Sequence, residues 1–178
     1  MDLQDHFKKN VIPEMKKRFG YTNDLEVPKI VKTVINVGLG KTLREEKTRE
    51  HVERTLKAIT GQKPIFTKAR SSIAGFNIRT GTIIGAKVTL RGKRMYDFLS
   101  KLINTALPRV RDFQGLSPEI FDKTGNCTIG LKEYTMFPEA QTEDAITIHG
   151  LEITVATTAK TKEEALALLR FMKFPFKS

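Results

Sequence analysis

The side chains with the most obvious chemistry are few and far apart. His6, His51 and His149 each stand alone, with no second histidine four residues on and no cysteine pair nearby, so ligand spacing for a metal is missing. Each reads as an ordinary surface or half-buried histidine. The single cysteine, Cys127, cannot form an internal disulfide and has no base beside it in sequence, which makes it a structural thiol in a strand next to a turn. Gly38-Leu39-Gly40-Lys41-Thr42 is more suggestive, because it follows a strand-like segment and opens a helix-like one, as a phosphate-binding loop would. The full loop needs a glycine five residues before the glycine of Gly-Lys-Thr, and that position is Ile35. A small nucleotide-using enzyme is the rival reading this turn leaves, although amides at a helix start also suit a backbone phosphate. No catalytic residue, metal or cofactor is assigned.

Cations carry the remaining chemistry, and they are unevenly placed. The 178 residues include 31 Lys+Arg and 20 Asp+Glu, a formal net charge of +11. Between Glu53 and Asp97 lie 43 residues without a carboxylate, holding Arg54, Lys57, Lys63, Lys68, Arg70, Arg79, Lys87, Arg91, Lys93 and Arg94. Outside that interval the chain is nearly neutral, with 21 basic and 20 acidic residues. From Glu133 to Ala159 the bias reverses: Glu133, Glu139, Glu143, Asp144 and Glu152 occur with no Lys or Arg. The plain alternative is two solvated faces that serve solubility. A basic region built to meet polyanions, RNA or DNA first, and an acidic one that meets a basic partner fit the positions better. No run approaches the roughly 18 to 20 apolar residues of a membrane span, and Met1 to His6 lacks the order of a signal peptide, so a cytosolic protein with no membrane partner is expected. A 39% hydrophobic fraction is enough for a packed core.

The elements that must present these cations follow from periodicity. Leu3, Phe7, Val11, Met15 and Phe19 recur every four residues and form one helical stripe ended by Gly20, with Pro13 either kinking it or dividing it into two pieces. Val27 to Val37 alternates as a strand, with Val31, Thr33, Ile35 and Val37 on one face and Ile30, Lys32, Val34 and Asn36 on the other. Thr42-Leu43-Arg44-Glu45 has the spacing of a capping box and starts a helix to about Thr60, with Val52, Leu56 and Ile59 inward. Strands are expected at Lys63 to Ala69, Ala86 to Gly92, Cys127 to Leu131 and Leu151 to Ala156. Met95, Phe98, Leu99, Leu102, Ile103 and Ala106 define a helix that Pro108 ends, and Thr161-Lys162-Glu163-Glu164 caps a last helix.

This order contains a split β-α-β core. It predicts an α+β fold, a two-layer sandwich of a mostly antiparallel sheet with helices packed on one face, in a single domain over residues 1–178. The uncovered sheet face then becomes a platform. Lys87, Thr89 and Arg91 of one strand and Lys32 and Asn36 of another supply cations, a hydroxyl and an amide, the groups that bind and register phosphates. Without tryptophan, and without paired aromatics on the strands, the face suits structured RNA better than a single strand. The connection from Arg70 to Gly85, 16 residues with three glycines, holds the apolar residues Ile73, Phe76, Ile78, Ile83 and Ile84 in a region expected to be exposed. It is either a hairpin tip folded on the domain or an arm that orders against a large partner, and its length and glycines favour the arm.

Ile59-Thr60-Gly61-Gln62-Lys63-Pro64, Thr67-Lys68-Ala69, Ser72-Ile73-Ala74-Gly75-Phe76, Val88-Thr89-Leu90-Arg91-Gly92, Leu107-Pro108-Arg109-Val110-Arg111-Asp112-Phe113 and Thr157-Thr158-Ala159-Lys160-Thr161 together resemble the large-subunit ribosomal protein five family, bacterial type. The resemblance runs in order from the first helix to Phe176. It implies a cytoplasmic, non-catalytic protein of the large ribosomal subunit that binds 5S rRNA in the central protuberance. Lys32, Asn36, Gln62, Lys63, Lys68, Lys87, Thr89 and Arg91 would form the 5S-binding surface. The loop with Arg70, Ser71, Ser72, Ile73, Gly75, Phe76, Arg79, Thr80 and Gly81 would face peptidyl-site tRNA, although Arg79-Thr80-Gly81-Thr82 departs from the commoner pattern. Glu139, Glu143 and Asp144 would approach small-subunit ribosomal protein thirteen across an intersubunit bridge. Large-subunit rRNA and other central-protuberance proteins would be further neighbours.

Overall fold

A computed structural model of the chain describes residues 3–38, 40, 46–140 and 148–177. Most of the phosphate-loop-like turn, the capping sequence Thr42 to Glu45, and Glu143 and Asp144 lie outside the described residues. The elements run α1 (Leu3–His6), a π turn (Phe7–Val11), α2 (Ile12–Phe19), β1 (Ile30–Gly38), α3 (Glu46–Thr60), β2 (Ile65–Lys68), β3 (Ile83–Leu90), α4 (Gly92–Lys101), β4 (Cys127–Leu131), β5 (Leu151–Thr157) and α5 (Lys162–Phe171). The five strands form one antiparallel sheet in the order β2-β3-β1-β5-β4, in a two-layer α+β architecture. Because β3 is inserted between β1 and β2, the segment β1-α3-β2 is a split β-α-β unit. Contacts divide the chain into two compact units, Met1–Thr33 with Leu90–Ile129 and Thr154–Ser178, and Val34–Thr89 with Gly130–Ile153.

In the first unit the four-residue stripe is buried at Leu3, Phe7, Val11 and Met15 and half-buried at Phe19. Four residues of α-helix turn about 400°, so such a stripe drifts by about 40° at each step. The π turn has a wider coil and corrects that drift; Ile12 N–H donates to the Phe7 carbonyl, five residues back. It also accommodates Pro13, whose ring would press on the carbonyl four residues earlier, at Lys9 inside the turn. The same solution recurs beyond α4. Residues Leu102–Ala106 form a second π turn, and Pro108 follows it in the short 3₁₀ segment Leu107–Arg109. The expected inward set of that helix, Met95 to Ala106, is buried throughout.

Thr161 caps α5: its hydroxyl accepts from Glu164 N–H, and the Glu164 carboxylate in return accepts from Lys160 N–H at 2.8 Å. The reciprocal pair sits one residue earlier than in a standard capping box but satisfies free amides in the same way. Cys127 is buried at the start of β4, and burial pushes its thiol up to about 12, so it is inert as a nucleophile.

In the second unit the alternation of the central strands holds. Ile35 and Val37 of β1 and Ala86 and Val88 of β3 are buried, while Asn36 and Lys87 are exposed. Within the first unit the start of β1 departs from the expected parity, with Ile30 buried and Val31 43% exposed. The change of parity falls inside β1, between Val31 and Thr33, and residues 27–29 precede the strand altogether. Further on, β3 begins at Ile83 and Arg91 precedes α4, so Gly92 belongs to a helix and not to the strand.

Gly85 marks the closest approach in this part of the sheet. A Cβ there would lie 2.7 Å from the Val37 carbonyl oxygen and 3.0 Å from Thr67 Oγ1. Gly85→Ala should therefore lower stability by about 1–2 kcal/mol, overpacking being partly offset by the lost flexibility of glycine. The expected reading is a lower urea midpoint with an unchanged slope; an unchanged midpoint would mean that β1 and β2 move apart freely.

Candidate nucleic-acid interface

The second unit builds one polar sheet face from three strand segments. Antiparallel partners share a face, so the pairs Ile65↔Lys87 and Thr67↔Gly85 place Ile65 and Thr67 beside Lys87 and Thr89. Asn36 of β1 has the matching outward parity. By simple alternation Lys68 would point to the opposite face, since it follows Thr67 directly. A register shift between Thr67 and Lys68 pairs Lys68 with Ile83, which has the same parity as Lys87. The extra residue, Ile84, lies on β3, so the alternation along β2 is undisturbed and Lys68, exposed at the end of this edge strand, takes the face opposite Thr67.

Gln62 and Lys63 have additional ties. The Gln62 side-chain amide donates to the Thr89 carbonyl at 3.3 Å, and its backbone N–H donates to the Thr60 hydroxyl, so it links the end of α3 to β3. Lys63 Nζ lies 3.0 Å from Glu53 Oε1 in an exposed ion pair. Such a pair contributes little to stability and can be exchanged for a phosphate. Among the described residues, Lys63 is the only one of the ten cations in the carboxylate-free interval that is held in an ion pair. Lys32 and Arg91 belong to the first unit, where Lys32 is half-buried and Arg91 exposed. Thr67 and Ile65, the latter 66% exposed, are members of the polar face that periodicity alone did not select. Their signal was the pairing register, which no single strand carries.

The segment after Ala69 is a built hairpin extension. Ala69 N–H donates to the Thr82 carbonyl and Gly81 N–H to the Ala69 carbonyl, at 2.8 and 3.0 Å. Ser72 Oγ accepts from Thr80 N–H at 3.0 Å, and Ile73 and Ile78 exchange backbone bonds across the tip. The short 3₁₀ turn Ala74–Phe76 closes it. Arg70, Ser71, Ser72, Gly75, Arg79, Thr80 and Gly81 are all exposed, as are Ile73 at 46% and Phe76 at 65%. Two apolar side chains thus stand outward at a tip flanked by two arginines.

The histidines correct the sequence reading. His51 and His149 are not isolated: both are buried in the second unit, with ring centres 6.3 Å apart. His6 is half-buried as expected, its Nε2 lying 2.8 Å from the Phe171 carbonyl. Among the described residues no group of three His, Cys, Asp or Glu is placed to hold a metal ion. No helix of these residues is long and apolar enough to cross a membrane. Glu139 lies in the short 3₁₀ turn Pro138–Ala140, exposed beside the buried Ala140.

The comparisons with known proteins agree with this architecture. Residues 23–79 match the profile described as ribosomal protein L5, and residues 83–176 match the profile of the C-terminus of that ribosomal family. The large ribosomal subunit protein uL5 of Syntrophomonas wolfei is 51% identical over 175 residues, covering 98% of each chain. Its counterpart in Dictyoglomus turgidum is 53% identical over 175 residues, again 98% of each. That of Methylococcus capsulatus is 48% identical over 176 residues, covering 99% of this chain and 98% of the other. With both halves of the family profile matched and half of all residues shared along nearly the whole length, the chain belongs to the uL5 family of large ribosomal subunit proteins, a structural and non-enzymatic family.

Proposed function

We propose that the chain holds 5S rRNA in the central protuberance of the large subunit of the cytoplasmic ribosome, by phosphate neutralisation and shape recognition. The observation that carries this reading is the polar sheet face of Asn36, Thr67, Lys87 and Thr89, whose backbone is fixed by pairing, with Lys68 exposed at the edge of the same sheet and neither lysine in an ion pair among the described residues. Lysines give affinity, while the amide and hydroxyls fix the register of a backbone that is already helical. Gln62 and Lys63 extend this contact, Gln62 chiefly by holding Thr89 in place, and Lys32 and Arg91, in the first unit, are assigned to 5S rRNA as well. Other exposed cations of the interval meet neighbouring large-subunit rRNA.

The hairpin tip is assigned to peptidyl-site tRNA. Ile73 and Phe76 can pack on a ribose or base face, and Arg70 and Arg79 reach flanking phosphates. Because the hairpin is pre-formed by its own hydrogen bonds, little ordering is required on contact. Glu139, together with Glu143 and Asp144, is assigned to the basic head protein of the small subunit, protein thirteen, and other central-protuberance proteins complete the surroundings.

Filter binding with 5S rRNA at several salt concentrations tests the main reading. Affinity should fall steeply as salt rises, and an affinity indifferent to salt would exclude a phosphate-dominated contact. Arg91 offers a cleaner probe than most, because it occupies the N-cap of α4 without a side-chain cap bond and is followed by Lys93 and Arg94 in the first turn. Cations there oppose the helix dipole. Arg91→Ser should add a cap, stabilise the fold by about 1 kcal/mol and raise Tm by about 2–4 °C. The same variant should bind 5S rRNA more weakly, with a salt slope reduced by about one. Retained affinity in the more stable protein would remove Arg91 from the contact. Ile73→Ser with Phe76→Ser should leave 5S binding near wild type and reduce tRNA protection in reconstituted subunits; a collapse of 5S affinity would mean that the two surfaces are wrongly divided.

A further inference from the structure

We propose that His51, Tyr134 and His149 form a buried, acid-sensitive latch that holds the turns around Tyr134 and Gly150 against α3, closed while the His149 imidazole is neutral. The three residues come from α3, from the 3₁₀ turn Tyr134–Met136, and from the entry to β5, all within the second unit. His51 is 3% exposed, and its Nε2 lies 3.0 Å from the Tyr134 hydroxyl. The Tyr134 ring lies over that of His149, with centres 4.5 Å apart, and His51 meets His149 edge-on. The adjoining turn Pro138–Ala140 packs on α3 as well.

His149 is the member that cannot accept a charge in place. It is 6% exposed; Nδ1 lies 3.4 Å from the Gly150 carbonyl, and Nε2 is shielded from solvent with no hydrogen-bond partner among the described residues. A neutral ring tolerates this with Nε2 bare. An imidazolium has N–H groups at both nitrogens and would leave one donor buried and unanswered. The backbone gives no slack, since a Cβ at Gly150 would come within 3.0 Å of the Leu131 carbonyl oxygen. The titratable groups that face His149 are His51 from α3 and Tyr134 from the 3₁₀ turn, and no carboxylate among the described residues bears on it. Burial foremost, with His51 adding to it, holds the ring below the ordinary histidine range.

The sign of the pH dependence follows. In the released segment His149 protonates near the ordinary value of about 6.5, whereas in the latch it does so only at lower pH. Latch stability is complete above about 6.5 and declines as the pH falls below it, by at most roughly tenfold per pH unit for one proton.

The test uses the full chain, with histidine ring NMR and amide hydrogen exchange between pH 7.5 and 5.0, corrected for intrinsic exchange rates. Amides of Tyr134 to Ala140 and of Gly150 to Ile153 should lose protection below about pH 6.5, approaching tenfold per unit, while those of Leu99 and Leu168 keep theirs. His149→Phe retains an aromatic ring and removes the proton site, so its protection should be flat over this range. Equal losses in the wild type and in His149→Phe would overturn the latch. The ring signals decide independently of that variant's folding: a wild-type His149 that titrates in the ordinary range with local protection unchanged would also overturn it.

Discussion

Insertion of β3 between β1 and β2 is the constraint on which the rest of the second unit depends. A strand paired along both edges has no freedom in register, so the two-residue period of Ala86, Lys87, Val88 and Thr89 becomes a fixed division between a buried face and a polar one. Close passage of β3 beside the Val37 carbonyl requires glycine at position 85. The same pairing sets where the hairpin extension leaves the sheet. One strand position therefore fixes the polar face and the base of the apolar tip together.

That division explains why so little of the charge is neutralised internally. A cation on a pleated strand points straight out from the sheet, and helical carboxylates three or four residues away are not available to it. Lys63 escapes this because it lies beyond α3, where Glu53 can reach it. Lys68 stands exposed at the end of the edge strand β2. Each unpaired cation raises the electrostatic energy of the free protein and lowers that of a complex with a polyanion. The ten cations of the carboxylate-free interval thus suit the polyanion contact proposed for this surface.

Where one residue's neighbours in sequence are also its neighbours in space, the sequence was readable. The inward set of α4, the cap at Thr161, the strand Cys127–Leu131 and the outward parity of Asn36, Lys87 and Thr89 are of this kind. The π turns were legible only as a conflict, a four-residue stripe crossing a proline, because their resolution depends on backbone carbonyls that carry no sequence signal. The 16-residue connection looked like a loose arm, yet hydroxyl-to-amide bonds between Ser72 and Thr80 build a hairpin from residues that also populate loops. Register decides which face Ile65 and Thr67 join, and register is a property of a strand pair.

The histidines are the clearest case of information absent from local sequence. His51 and His149 are 98 positions apart, one on a helix and one before a strand, and neither has a chemically telling neighbour. Only the fold brings them to one buried site, with Tyr134 between them. A packed apolar residue would fill this volume without leaving a bare nitrogen, and burial of an unpaired polar atom costs about 1–3 kcal/mol. Aromatic stacking and the His51–Tyr134 hydrogen bond return part of that cost only while the His149 ring stays neutral. Stability in this corner of the unit is thus tied to proton activity through the proposed latch, whereas the exposed cations of the polar sheet face respond to salt.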